Sequence, residues 1–143
     1  MKTVFTPSRA LEWHCAWTAF AVSAVLFFPG STFSTSPSFA EFERVMSESS
    51  WATLIMIVAL IRFAALIVNG HYHRTPIARA LTAAAGAGLW AYLAVLFYQP
   101  ELGGLSTGVG VYAVLALSDC FSAWRSGRDA MIAWNIFSEG RRT

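Results

Sequence analysis

Residues 54–61 read Leu54-Ile55-Met56-Ile57-Val58-Ala59-Leu60-Ile61, eight apolar side chains in succession. A helix wound from this stretch has no polar face, whereas each surface helix of a small soluble domain needs one toward water. Lipid is the solvent that accepts such a helix. The surrounding apolar run extends from Trp51 to Val68 with Arg62 as its one charged residue, and it stops at Asn69-Gly70, a pair suited to a helix C-terminus. Composition agrees: of 143 residues, 56% are hydrophobic and 13% charged, against about 25% charged in an ordinary soluble domain.

Three further stretches share this character. Trp13 to Phe28 closes at Pro29-Gly30 and has 16 residues, short against the roughly 20 needed to cross a bilayer upright. A third opens at the capping pair Thr75-Pro76, is apolar from Ala80 to Tyr98, and ends at Gln99-Pro100. The fourth runs from Gly104 to Trp124 with Asp119 near its end. Trp13, Trp51, Tyr98 and Trp124 fall at stretch ends, where amphipathic rings favour the headgroup layer. The expected fold is all-α, an integral membrane four-helix bundle with spans at about 13–28, 51–68, 77–98 and 104–124. No small-x-small cleavage site follows the first stretch, so it is expected to be retained rather than removed as a signal peptide.

Between the first two spans, Ser38 with Glu41 three residues on has the form of a capping box. Phe39, Phe42, Val45 and Met46 then share one helical face, so a short interfacial amphipathic helix is expected over 38–48, lying on the bilayer. Residues 125–143 read as a basic C-terminal tail, and the whole of 1–143 as one transmembrane domain.

Cytoplasmic segments retain Lys and Arg. With the N-terminus inside, Lys2, Arg9, Arg74, Arg79, Arg125, Arg128, Arg141 and Arg142 fall on the inner side, and Arg44 alone on the outer. Both termini are therefore expected in the cytoplasm.

Ionisable residues within a span cost about 2.5–3.5 kcal/mol at its centre and mark function by default. Arg62 lies six residues before Val68 and Asp119 five before Trp124, which places them roughly 9 and 8 Å from the inner ends at 1.5 Å per residue. Matching depth makes Arg62 and Asp119 a candidate intramembrane ion pair. Independent snorkelling and a proton or ion relay stand beside it as alternatives. His14, His71 and His73 project to the inner side without a ligand pattern, and no haem, metal or other cofactor is expected. Ser106 and Ser118 have no histidine at a similar depth, so no catalytic residue is assigned. Helix packing has clearer signals: Ala80, Ala84 and Gly88 form a small-residue ridge with Ala83, Ala87 and Ala91 beside it, and Gly104-x-x-x-Gly108 opens the fourth span.

Two segments resemble a known group. Ile67-Val68-Asn69-Gly70 with Arg74-Thr75-Pro76 and Arg79-Ala80 form one; Ser106-Thr107-Gly108 through Val111-Tyr112 to Asp119 and Arg128-Asp129-Ala130 form the other. Together, over residues 51–130, they resemble small multi-pass membrane proteins of tailed bacteriophages and prophages, most of unassigned function. The resemblance implies a bacterial inner membrane and carries no catalytic motif. The expected protein is non-enzymatic and acts by helix association in the envelope, as in superinfection exclusion or modification of the host membrane. A holin-like lysis protein is the alternative, and a small transporter or redox-complex subunit a further one. Expected partners are the bilayer and either a second copy or another membrane protein. A net charge of +2 with no long basic run argues against nucleic acid.

Overall fold

The computed structural model describes residues 9–68, 76–102 and 105–139, with side chains to Ile132 in the last segment. Every regular element among them is helical. The helices are α1 (Ala10–Phe27), α2 (Ala40–Val45), α3 (Glu48–Val68), α4 (Pro76–Leu96) and α5 (Thr107–Glu139). Four of them, all but α2, are long and apolar enough to cross a membrane. The chain is thus a helical membrane protein. Hydrogen-bonding every backbone group within its own segment is what makes the helix the economical form in lipid.

The boundaries depart from the sequence expectation in instructive ways. Neither α1 nor α3 begins at its first tryptophan: each starts three residues earlier, because Glu12 and Glu48 occupy first helical turns, where an acid suits the positive end of the dipole. The largest departure is at the C-terminus. Residues 107–124 of the expected fourth span and 125–139 of the expected tail form one continuous 33-residue helix, as no proline interrupts it. At 1.5 Å per residue α5 is about 50 Å long, well beyond the roughly 30 Å of a hydrocarbon core. Gly104 lies outside the described residues.

Packing closes the four long helices into a ring in the order α1, α3, α4, α5 and back to α1. This leaves α1 and α4 across one diagonal and α3 and α5 across the other. The chain runs up and down alternately, so the starts of α1 and α4 share one end of the bundle with the close of α3. The opposite end is sealed by aromatic rings. Within the 38–48 expected as one surface helix, the α-helix is the six residues of α2; the 3-10 turn Pro37–Phe39 leads into it, and another, Phe33–Thr35, comes before that. Ser36 rather than Ser38 supplies the cap, accepting from the Ser38 amide, and Met46 breaks the helix with an extended backbone. Phe42 is buried against Phe97 and Trp51, with ring centroids 4.7 and 5.7 Å away, and Phe39 stacks on Phe33 at 5.4 Å. Five large rings on one short segment and two helix ends find more contact with each other than on a bilayer surface. Trp51 consequently faces inward rather than the headgroup layer, and its indole N–H donates to the Phe42 carbonyl at 3.0 Å. Glu48 holds the segment's other end, accepting from the Thr32 amide at 2.9 Å and the Phe33 amide at 3.2 Å.

The small-residue ridge also needs correction. Of the expected Ala80, Ala84 and Gly88, only Ala80 is half-buried. Ala84 and Gly88 are exposed, and the face of α4 that packs carries Ala83, Gly86 and Ala87. The rotation follows from the bulky residues: Trp90, Leu93 and Phe97 must point inward, and Ala83, Gly86 and Ala87 continue their face. Gly108 of α5 lies beneath the Phe97 ring, where an added Cβ would come within 2.6 Å of the ring carbon Cγ. Gly108→Leu is therefore expected to destabilise the bundle by about 1–3 kcal/mol, the usual range for overpacking. At Gly88 an added Cβ meets nothing within 4 Å, so Gly88→Leu is expected to be nearly neutral when both variants are unfolded by titration with a denaturing detergent.

Candidate functional site

The end of the bundle opposite the aromatic rings holds the charges. Arg62 comes from the last third of α3 and Asp119 from the middle of α5, and the structure brings them together. Arg62 Nη2 donates to Asp119 Oδ1 at 2.6 Å and Nη1 donates to Oδ2, the two-pronged geometry in which guanidinium and carboxylate match best. Both side chains are buried, 3% and 0% exposed, so neither snorkels to the bilayer edge.

A second pair was not anticipated from the sequence. Glu12, in the first turn of α1, receives Arg79, in the first turn of α4, through Nε at 2.9 Å and through Nη2. Both residues are buried. Counting Arg79 among the inner-side basic residues concealed this role. A signal did exist: Glu12 is the only acidic residue before Glu41, and it stands in the first turn of an apolar helix that starts on the same side as α4.

The pairs span the two diagonals, Glu12 to Arg79 from α1 to α4 and Arg62 to Asp119 from α3 to α5. Around the deeper pair all four long helices converge, since Cys15 of α1 lies beside Asp119 and Gly86 of α4 lies beneath the salt bridge. A Cβ at Gly86 would collide with both Arg62 Nη1 and Asp119 Oδ2, so glycine is the residue that leaves room for the pair. Arg9, just before α1, adds a link by donating from Nη2 to the Leu66 carbonyl of α3 at 2.7 Å. Partial burial, then the neighbouring Arg79 charge, pull the Arg9 guanidinium below its ordinary pKa, while Glu12 opposes them.

The remaining expected residues are dispersed. His14 is exposed, while His71 and His73 lie outside the described residues. The Ser118 hydroxyl donates to the Val114 carbonyl at 2.8 Å, and the Ser106 hydroxyl accepts from the Gly108 amide at 3.2 Å, so each hydroxyl is engaged by its own helix or turn. Among the described residues no three His, Cys, Asp or Glu side chains gather as a metal site would require.

Chemically, this arrangement can hold helices in one register. In lipid, apolar burial gives little net attraction between helices, so hydrogen-bonded ion pairs and close packing decide which surfaces meet. The fold and the site define a class, a membrane bundle with crossed internal ion pairs. Comparison with protein-family models, curated proteins and solved structures returned no match to this chain.

Removing one partner of a buried pair leaves the other charge uncompensated, at a cost of about 3–5 kcal/mol. Arg62→Ala and Asp119→Ala are each expected to destabilise the bundle on that scale, and the double variant by clearly less than the sum. A double-mutant cycle in mixed micelles measures the coupling, and additive losses would refute it. Gly86→Ala is expected to destabilise as well, while leaving both charges in place.

Proposed function

We propose that this chain is a non-enzymatic multi-pass protein of a bacterial inner membrane, phage-encoded, that acts by associating with other membrane helices and alters the host envelope, as in exclusion of a second phage. The observation that carries this reading is the mutual neutralisation of Arg62 with Asp119 and of Glu12 with Arg79. Charges committed to each other across the bundle serve shape, whereas a relay needs groups free to exchange protons. The outward surface of α5 supports the same reading, because Leu117, Phe121 and Trp124 present an apolar face to lipid or to a neighbouring helix. The bacterial and phage setting rests on the resemblance over residues 51–130.

Both termini lie in the cytoplasm in this proposal. Arg79 belongs to an internal pair and contributes less to orientation than a free arginine, yet Lys2, Arg9, Arg74, Arg125, Arg128, Arg141 and Arg142 still favour that side against Arg44. Reporter tags on the two ends are expected to be accessible from the same face, and opposite faces would overturn the topology. Timed expression in a bacterium tests the role. Normal growth with membrane potential retained and phage infection reduced is the expected result. Abrupt collapse of the potential would overturn it in favour of holin-like lysis.

A further inference from the structure

Along the outward face of α5 an apolar stripe meets a cation. Leu117, Phe121, Trp124 and Arg128 follow one another at helical spacing on one side of the helix, and all four are exposed. The depth of Arg128 follows from packing against α4. Gly86 faces Asp119; eleven residues further along α4, Phe97 faces Gly108, eleven residues back along α5. The two antiparallel helices thus keep one register. Carried nine residues on from Asp119, that register sets Arg128 level with Ile77, the second residue of α4. Because α4 begins there, Arg128 stands at the end of the bundle, where hydrocarbon gives way to headgroups, and Trp124 lies one turn inside, at the depth that suits an indole ring.

The Arg128 guanidinium lies over the Trp124 ring, its Cζ 5.1 Å from the ring centroid. This contact draws on the charge and consumes none of the N–H donors of the planar fork. Nor does an ion pair take them: among the described residues Glu41, Asp119 and Glu12 are matched with Arg44, Arg62 and Arg79. Asp129 comes next in the chain and is exposed, but successive helical residues do not face each other. A guanidinium held by its ring and open at its edge is the group that grips a phosphate with two prongs. On the bilayer side of it, Phe121 tilts against Trp124 with ring centroids 5.8 Å apart, and Leu117 continues the apolar wall.

We propose that Trp124 and Arg128 form a binding site for an anionic phospholipid, its phosphate on the Arg128 fork and an acyl chain along Phe121 and Leu117. The headgroup class follows from charge. On this turn of α5 half-buried Arg125 and exposed Arg128 stand against Asp129 alone, which leaves one positive charge in excess. A head whose only charge is its phosphate neutralises that excess. A zwitterionic head brings an ammonium group back beside the arginines. The Trp124 ring already holds the guanidinium in place, so less ordering remains to be done when the phosphate arrives. Apolar contact along the stripe has no net gain over bulk lipid, and selectivity therefore rests on the head. This inference needs only that the chain spans a bilayer, in either orientation, and stands apart from the phage and envelope role.

The test uses the full chain in vesicles of phosphatidylethanolamine and phosphatidylglycerol, with a trace of either lipid bearing a photoactivatable diazirine in one acyl chain. On residues 117–128 the glycerol probe is expected to give about threefold more adduct than the ethanolamine probe, the order of enrichment that one basic residue at an anionic surface supplies. On the exposed face of α4 from Leu81 to Val95 the two probes are expected to label equally. Arg128→Gln is expected to bring the ratio at 117–128 to about one. Trp124→Leu, which keeps the charge, and Arg128→Lys, which keeps the charge without the fork, are each expected to lower the excess by about half. Both positions are exposed, so the bundle is expected to stay folded in all three variants. Equal labelling by the two probes in the wild-type chain, or a ratio unchanged in Arg128→Gln or in Trp124→Leu, would overturn the proposal. So would labelling of 117–128 by neither probe, the outcome if a second copy of α5 covers this face.

Discussion

A charge in hydrocarbon must find its opposite. This constraint organises one end of the molecule, since Arg62, Asp119, Glu12 and Arg79 all lie in apolar helices and all are buried. Any arrangement of the helices that separated the partners would leave isolated charges in a low dielectric, each expensive to keep there. The two pairs exclude most ways of assembling four greasy helices. Because they cross the two diagonals, they also couple helices that the ring places opposite one another. Gly86 belongs to the same device, for a side chain there would occupy the space of the salt bridge.

The other end is built on different physics. Phe33, Phe39, Phe42, Trp51 and Phe97 form a group of rings whose contacts are edge-on, tilted or stacked. Dispersion and quadrupole interactions of this kind hold without dehydrating charge. They are also less exacting about register, which is why hydrogen bonds pin the segment as well: Glu48 to two amides, the Trp51 indole to Phe42, and Gln99 to the Ser38 carbonyl at 3.1 Å. The bundle is accordingly electrostatic and close-packed where its charges meet, and aromatic at the other end, where Phe33, Phe42 and Trp51 are all buried.

How much of this was legible in the sequence differs by feature. The four apolar helices were, because runs such as Leu54 to Ile61 have no polar face whatever surrounds them. Arg62 and Asp119 stood out as charges inside spans, and their similar depth was computable from helical rise. Glu12 and Arg79 did not stand out, since each lies in a first turn, where a charged residue ordinarily faces water or headgroups. The face of α4 was misread for a related reason: the alanines and glycines at 80–91 repeat so densely that several ridges are equally small. Which ridge packs was decided by Trp90, Leu93 and Phe97 further along the helix.

The sequence by itself determined the solvent and the number of helices, because transfer of an all-apolar helix into lipid depends on its own side chains and little else. Tertiary structure alone decided the partners: which arginine meets which carboxylate, that Trp51 turns inward, and that Ser36 to Val45 folds back over the rings of Trp51 and Phe97. Pairing depends on distances between segments far apart along the chain, 57 residues for Arg62 and Asp119 and 67 for Glu12 and Arg79. Local periodicity holds no information about such distances until the helices pack.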